Sequence, residues 1–197
     1  MGFDWKGLFR GLVNDAKTEI KKTQQTQASS AKTLTVSIPS LPLNVAEMTG
    51  MQEFDRKDPY KVALFTIAAL CRFPESREDC YAMINDLKGP EPITVRDKDF
   101  IRDRFMDGKD YIPRSYFAGA TPANDYTPST PYKVAIKEQS NSRENEGYIK
   151  LFATSGGADS PRQITLRQKK STGEWFLNQF EFLLAGIRIP QSQDKWS

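Results

Sequence analysis

The chain has 197 residues, with 27% charged and 38% hydrophobic side chains, a balance that fits a folded domain rather than a disordered chain. It contains no histidine, which removes Ser-His-Asp and Cys-His catalysis and the common zinc sites. The formal charge of +3 resides in residues 1–32, where six Lys and Arg face three Asp and Glu, and the rest is balanced; nucleic-acid binding is therefore not expected.

The first segment, FDWKGLFRGLVNDAKTEIKK, places Trp5, Leu8, Phe9, Leu12, Val13, Ala16 and Ile20 at three- and four-residue steps. That spacing predicts an amphipathic helix over residues 1–22. The polar run TQQTQASSAKT then predicts a flexible linker over 23–33, and a globular domain over 34–197. Three fates compete for the apolar stripe: docking on its own domain or on a second copy, clasping a partner protein, or lying on a membrane surface. Trp5, Leu8, Phe9 and Leu12 are the candidate contact residues in each. No apolar run approaches the roughly 18 residues of a membrane span, and MGFDWKGLFRGL does not read as a secretory signal. A cytoplasmic location is expected, with peripheral membrane attachment as the alternative that the stripe allows.

The body opens with an extended piece, TLTVSIPSLPLNV, broken by Pro39 and Pro42. Asp58 as cap and Pro59 at the first helical position predict a helix through YKVALFTIAALCRF, apolar nearly all round and stopped by Pro74. ESREDCYAMINDLKG predicts a second helix ending at Gly89. TVRDKDFIRDRFMDG predicts a third, capped by Thr94, with Phe100, Ile101 and Phe105 facing inward. Cys71 and Cys80 fall on these helices at a spacing that matches neither a redox pair nor a zinc-ligand pair, and read as small buried hydrophobes.

Residues 115–132, SYFAGATPANDYTPSTPY, hold three prolines, which exclude a regular helix or central strand, yet also Tyr116, Phe117, Tyr126 and Tyr132. Two readings stand. The segment is a strap sealing the core, or its aromatics floor a groove, with Asn124 and Asp125 as polar contacts at the rim. Beyond it the period changes to two: 132–138, 147–155, 162–170 and 174–181 read as strands, with a hairpin turn at KKSTGEW. FLLAGIRIPQSQDKWS reads as a short further strand and a tail pinned by Trp196. The expected fold is α+β, with about three helices on a four- to five-stranded antiparallel sheet, preceded by the separate amphipathic helix.

Chemistry-bearing clusters are few. Asp97, Asp99, Asp103, Asp107 and Asp110 crowd the third helix, but Ile101 and Arg102 occupy the third ligand place and the glycine place of a calcium loop. Interleaved Arg and Lys mark a solvated face, so no metal and no cofactor are expected. TSGGADSPR (154–162) reads either as a turn or as an NH concavity for an anion completed by Arg162.

The segments LKGPEPIT, YFAGATPANDYTPSTPY, SGGADSPRQITLR and GEWFLNQFEFLLAGIRIP resemble the signature segments of a bacterial family of uncharacterised domains, best represented in Firmicutes. The resemblance covers roughly residues 36–196. It implies a bacterial, intracellular protein and carries over no catalytic residues.

The expected function is a non-enzymatic recognition module whose ligand-binding candidates are Tyr116, Phe117, Asn124, Asp125, Tyr126 and Arg162, tethered by the N-terminal helix to a protein or peptide partner. Two alternatives remain: an enzyme using carboxylates or a Ser–Lys pair, and a peripheral membrane-associated protein.

Overall fold

The computed structural model describes residues 32–196. The predicted amphipathic helix and most of the linker, with Trp5, Leu8, Phe9 and Leu12, lie outside the described residues. Five strands, β1 (Thr33–Ile38), β2 (Tyr132–Lys137), β3 (Tyr148–Ala153), β4 (Arg162–Lys169) and β5 (Glu174–Gln179), form one antiparallel sheet in the order β1-β2-β3-β4-β5. Among the described residues, all the α-helices fall between β1 and β2: α1 (Val45–Gly50), α2 (Pro59–Cys71), α3 (Arg77–Lys88), α4 (Val95–Arg104) and α5 (Tyr111–Arg114). The fold is α+β.

Helix α2 is the centre of the core because its sequence offers no polar face to water. From Tyr60 to Leu70 every residue except Lys61 is buried. The Asp58 carboxylate accepts from Tyr60 N at 2.8 Å, satisfying an end donor, and Pro59 presets φ for the first turn. One flank of α2 packs on α3, whose Cys80, Met83, Ile84 and Leu87 are buried at helical spacing. Helix α4 is different in kind. Thr94 and Asp97 form a reciprocal capping box, but Ile101 alone in the helix is fully buried, while Phe100 and Phe105 pack on the core at its margin.

Two short helices add to the three anticipated. Helix α1 begins where Asn44 Oδ1 accepts from Glu47 N at 3.0 Å and Glu47 Oε2 accepts from Leu43 N at 3.0 Å. The Asn44 cap, with Glu47 reaching back to the residue before it, starts a helix inside a stretch that the two prolines make look extended. Helix α5 buries Tyr111, Ile112 and Pro113.

The sheet packs one face on α2. Ile149 and Leu151 of β3, Ile164 and Leu166 of β4 and Leu177 of β5 are in register and buried there. The alternate positions, Tyr148, Arg167 and Phe176, align across β3, β4 and β5 on the opposite face.

The end of the chain corrects two expectations. Residues Glu181–Leu184 form a 3₁₀ turn instead of a strand, because consecutive Leu183 and Leu184 are both buried and a strand would turn one of them outward. Trp196 pins nothing: its side chain is 96% exposed.

Candidate functional site

Residues 115–132 run as a strap between α5 and β2, and the structure gives their side chains packing partners. Tyr116, Phe117 and Tyr126 are 2%, 2% and 0% exposed. Tyr116 Oη donates to Leu183 O at 2.7 Å, and Tyr126 Oη donates to Arg188 O at 2.8 Å. Tyr126 stacks on Tyr111 with ring centroids 5.3 Å apart, and Phe117 meets Tyr132 edge-on at 5.2 Å. Rings this deeply buried, with their hydroxyls spent on backbone carbonyls, serve as core rather than as the floor of a groove. Burial pushes the Tyr126 hydroxyl up to about 12, with the neighbouring Tyr111 adding to it, and burial also raises Tyr116.

The polar residues of the strap are likewise turned on the protein itself. Asn124 Oδ1 accepts from Thr121 N at 2.9 Å, while its Nδ2 donates to Gly119 O and Thr127 O at 2.8 and 3.1 Å. Asp125, in the left-handed region at φ 52°, accepts from Ser192 Oγ at 2.6 Å. Arg162 donates through Nε to Ala185 O at 2.8 Å, through Nη2 to Gly186 O at 2.6 Å and through Nη1 to Ser160 O and Oγ at 3.0 Å. A guanidinium so fully engaged is a staple for the C-terminal segment.

The two glycines of TSGGADSPR are needed for close approach, not for an anion. A Cβ at Gly156 would stand 2.0 Å from Ala120 O, and one at Gly157 would meet the Tyr126 ring system. Gly156 N instead donates to Ser115 O at 2.8 Å. The six candidate residues thus come together as one structural clamp joining the strap, the 154–162 turn and the C-terminal segment.

An open groove lies elsewhere, on the sheet face away from α2. Its volume is about 480 Å³, and its floor is the cross-strand row Tyr148–Arg167–Phe176. Lys88, the last residue of α3, and Glu91, from the connection to α4, bound it on one side; Glu146, Lys169 and Lys170 bound it on the other. Four cations therefore line it against two acids.

Each wall has a local cause. Phe176 lies against Gly89, the left-handed cap of α3 at φ 63°, where any Cβ would be 2.3 Å from the ring. The Arg56 guanidinium covers the same ring at 5.2 Å, held by Asp86, while Arg56 O accepts from Trp175 N at 2.7 Å. Arg167 sits over the Tyr148 ring at 5.6 Å and donates to Glu91 Oε1 at 2.8 Å. Lys170 pairs with Glu146 at 2.7 Å, and this bond holds the Glu146 carboxyl below its ordinary range. Both ion pairs are solvent-exposed, where water and salt screen the attraction and leave it weak. Lys169 has no acid within ion-pair distance among the described residues. A ligand anion can therefore take these cations at small cost.

The sequence alone hides the row, because Arg167 reads as one more surface cation. The available signal is parity: Tyr148 and Phe176 are large aromatics at strand positions that alternate with the core-facing Ile149 and Leu177.

A family model described as "Domain of unknown function (DUF6935)" matches residues 40–191, which span both the clamp and the groove. No curated protein and no solved structure shows significant similarity to the chain.

Proposed function

The chain belongs to the DUF6935 family, and we propose that it is a recognition module binding an anion joined to a flat or apolar body in the groove across β3, β4 and β5. The observation that carries this reading is the Tyr148–Arg167–Phe176 row: two aromatic surfaces flank a guanidinium whose protein partner is a weak, exposed ion pair. The anionic part of the ligand would meet Arg167 with Lys169 or Lys170, and its body would lie along Tyr148 and Phe176. The concavity is of the size that ordinary small-ligand sites have, about 300–1,000 Å³.

On the strength of the sequence resemblance, we take the protein to be bacterial and intracellular. Among the described residues no helix is long and apolar enough to cross a membrane. In this reading residues 1–22, with Trp5, Leu8, Phe9 and Leu12 on one stripe, tether the module to a protein partner.

Phenyl phosphate, inorganic phosphate and benzyl alcohol, titrated separately into ¹⁵N-labelled full-length protein, test the groove. Phenyl phosphate should move the amides of Tyr148, Arg167 and Phe176 more than either fragment does, and Arg167→Glu should abolish the response. If phenyl phosphate leaves those three amides in place, the groove is not the recognition surface.

A further inference from the structure

The sheet groove carries a third feature besides its rings and its cations, and its cause is a break in the ladder between β4 and β5. Leu177 faces Leu166 and Gln179 faces Thr165, so β5 advances by two residues where β4 advances by one, and nothing stands opposite Asn178. This is a β-bulge, a device that re-aims a side chain out of the regular pleat. The backbone carbonyl of Asn178 accepts from Lys88 Nζ at 3.3 Å, which ties the bulge to the end of α3. The Asn178 side chain lines the groove and makes no hydrogen bond with any described residue. The residue is half-buried, yet its amide stays open to the groove.

That amide narrows the class of ligand. It holds an acceptor and two donors side by side, and an apolar body laid over them would strip their water and leave them unmet. Whatever lies on Phe176 must therefore turn a polar edge towards Asn178. The register sets the order of the remaining parts. Asn178 stands two residues from Phe176, about 7 Å along the strand, and Arg167 lies opposite Phe176, about 5 Å across the ladder. Lys169 stands two residues beyond Arg167, on the side away from Asn178. A ligand laid along the groove meets an amide, then an aromatic ring, then cations. A nucleotide has its parts in that order. Its base is flat, carries neighbouring donors and acceptors on one edge of the kind that Asn side chains read in pairs, and is joined to a phosphate. Four cations against two acids leave an excess of positive charge for the phosphate, and about 480 Å³ suits one such unit rather than a strand.

We propose that the groove binds a nucleotide, with the polar edge of the base on the Asn178 amide, the base along Phe176 and the phosphate at Arg167 and Lys169. This assignment rests on the reading of the groove as a site for an anion joined to a flat body, and adds to it the hydrogen-bonding edge.

AMP, UMP, ribose 5-phosphate and phenyl phosphate, titrated separately into ¹⁵N-labelled full-length protein, test the assignment. The signals to follow are the Arg167 and Phe176 backbone amides and the Asn178 side-chain NH₂. At least one nucleotide should bind about tenfold more tightly than either ribose 5-phosphate or phenyl phosphate, and should shift the Asn178 NH₂ signal. Asn178→Ala, and Asn178→Leu with more of the bulk kept, should each bring that nucleotide down to the affinity of phenyl phosphate. If phenyl phosphate binds and neither nucleotide binds better, the nucleotide assignment falls while the wider reading of the groove stands. If the preference survives both Asn178 variants, the amide does not read the base and the assignment falls as well. If no compound moves the Arg167 and Phe176 amides, both readings fall together.

Discussion

A methyl group placed on Gly157 would stand 2.1 Å from the hydroxyl oxygen of Tyr126 and 2.7 Å from Ile187 Cγ2. The turn after β3 and the strap before β2 are thereby pressed together at a point where neither can yield, since Tyr126 is fully buried and its hydroxyl is tied to Arg188 O. Gly157→Ala should cost about 1–3 kcal/mol, the range for overpacking a dense core. Gly50→Ala, where nothing lies within 4 Å, is the control and should be close to neutral. Urea denaturation of the two variants measures the difference; equal midpoints would show that the clamp is loose.

Alkaline stability follows from the same tyrosine. Unfolded tyrosine ionises near pH 10, whereas burial pushes Tyr126 up to about 12, and burial also raises Tyr60 and Tyr116. The native state holds these protons more tightly than the unfolded chain. Their contribution is therefore complete below about pH 10 and is lost as pH rises from about 10 through about 12. Denaturation midpoints measured across that window should fall with pH, and Tyr126→Phe should flatten the slope. At neutral pH the same variant should cost about 1 kcal/mol through the lost bond to Arg188 O.

Arg162→Lys separates a staple from a ligand contact. The substitution keeps the charge but removes the fork that reaches Ala185 O, Gly186 O and Ser160. It should cost about 2–3 kcal/mol and raise hydrogen exchange at residues 183–188 first. A variant as stable as the parent would return Arg162 to the list of ligand candidates.

Arg167→Glu should behave in the opposite way. Arg167 is exposed and its ion pair with Glu91 is of the weak class, so thermal unfolding should shift by no more than about 0.5 kcal/mol. Loss of the phenyl phosphate response without loss of stability is the expected signature of a groove residue. A marked drop in stability would instead place Arg167 among the supports of the sheet.

The elements legible in the sequence are those whose start and stop depend on neighbouring residues. Asp58 with Pro59, Gly89 and Thr94 mark ends of the three long helices that the structure reproduces as hydrogen bonds or a left-handed turn, whereas the Ser76 cap and the Asp97 half of the capping box emerge only in the structure. The strands announced themselves by alternation for the same local reason. What could not be read locally was which strand lies beside which. The Tyr148–Arg167–Phe176 row exists only once the register is set, and its members are far apart in the chain. The aromatic strap shows the reverse limit: its composition was visible, but whether four rings face inward or line an opening depends on the segments that cover them. Glu181–Leu184 misled because a short apolar run carries no period of its own.

Among the described residues every α-helix lies between β1 and β2, and this has a consequence for how the sheet is put together. Strands β2 to β5 can zip in chain order, each to its sequence neighbour, but β1 finds Tyr132–Lys137 only after the whole helical layer has been bridged. Of the strand pairings in the sheet, that of β1 with β2 therefore closes the longest loop and carries the largest closure entropy. When β1 lifts, the backbone of β2 becomes a bare hydrogen-bonding margin beside Val134 and Ile136, a place where a foreign strand could be laid in its stead.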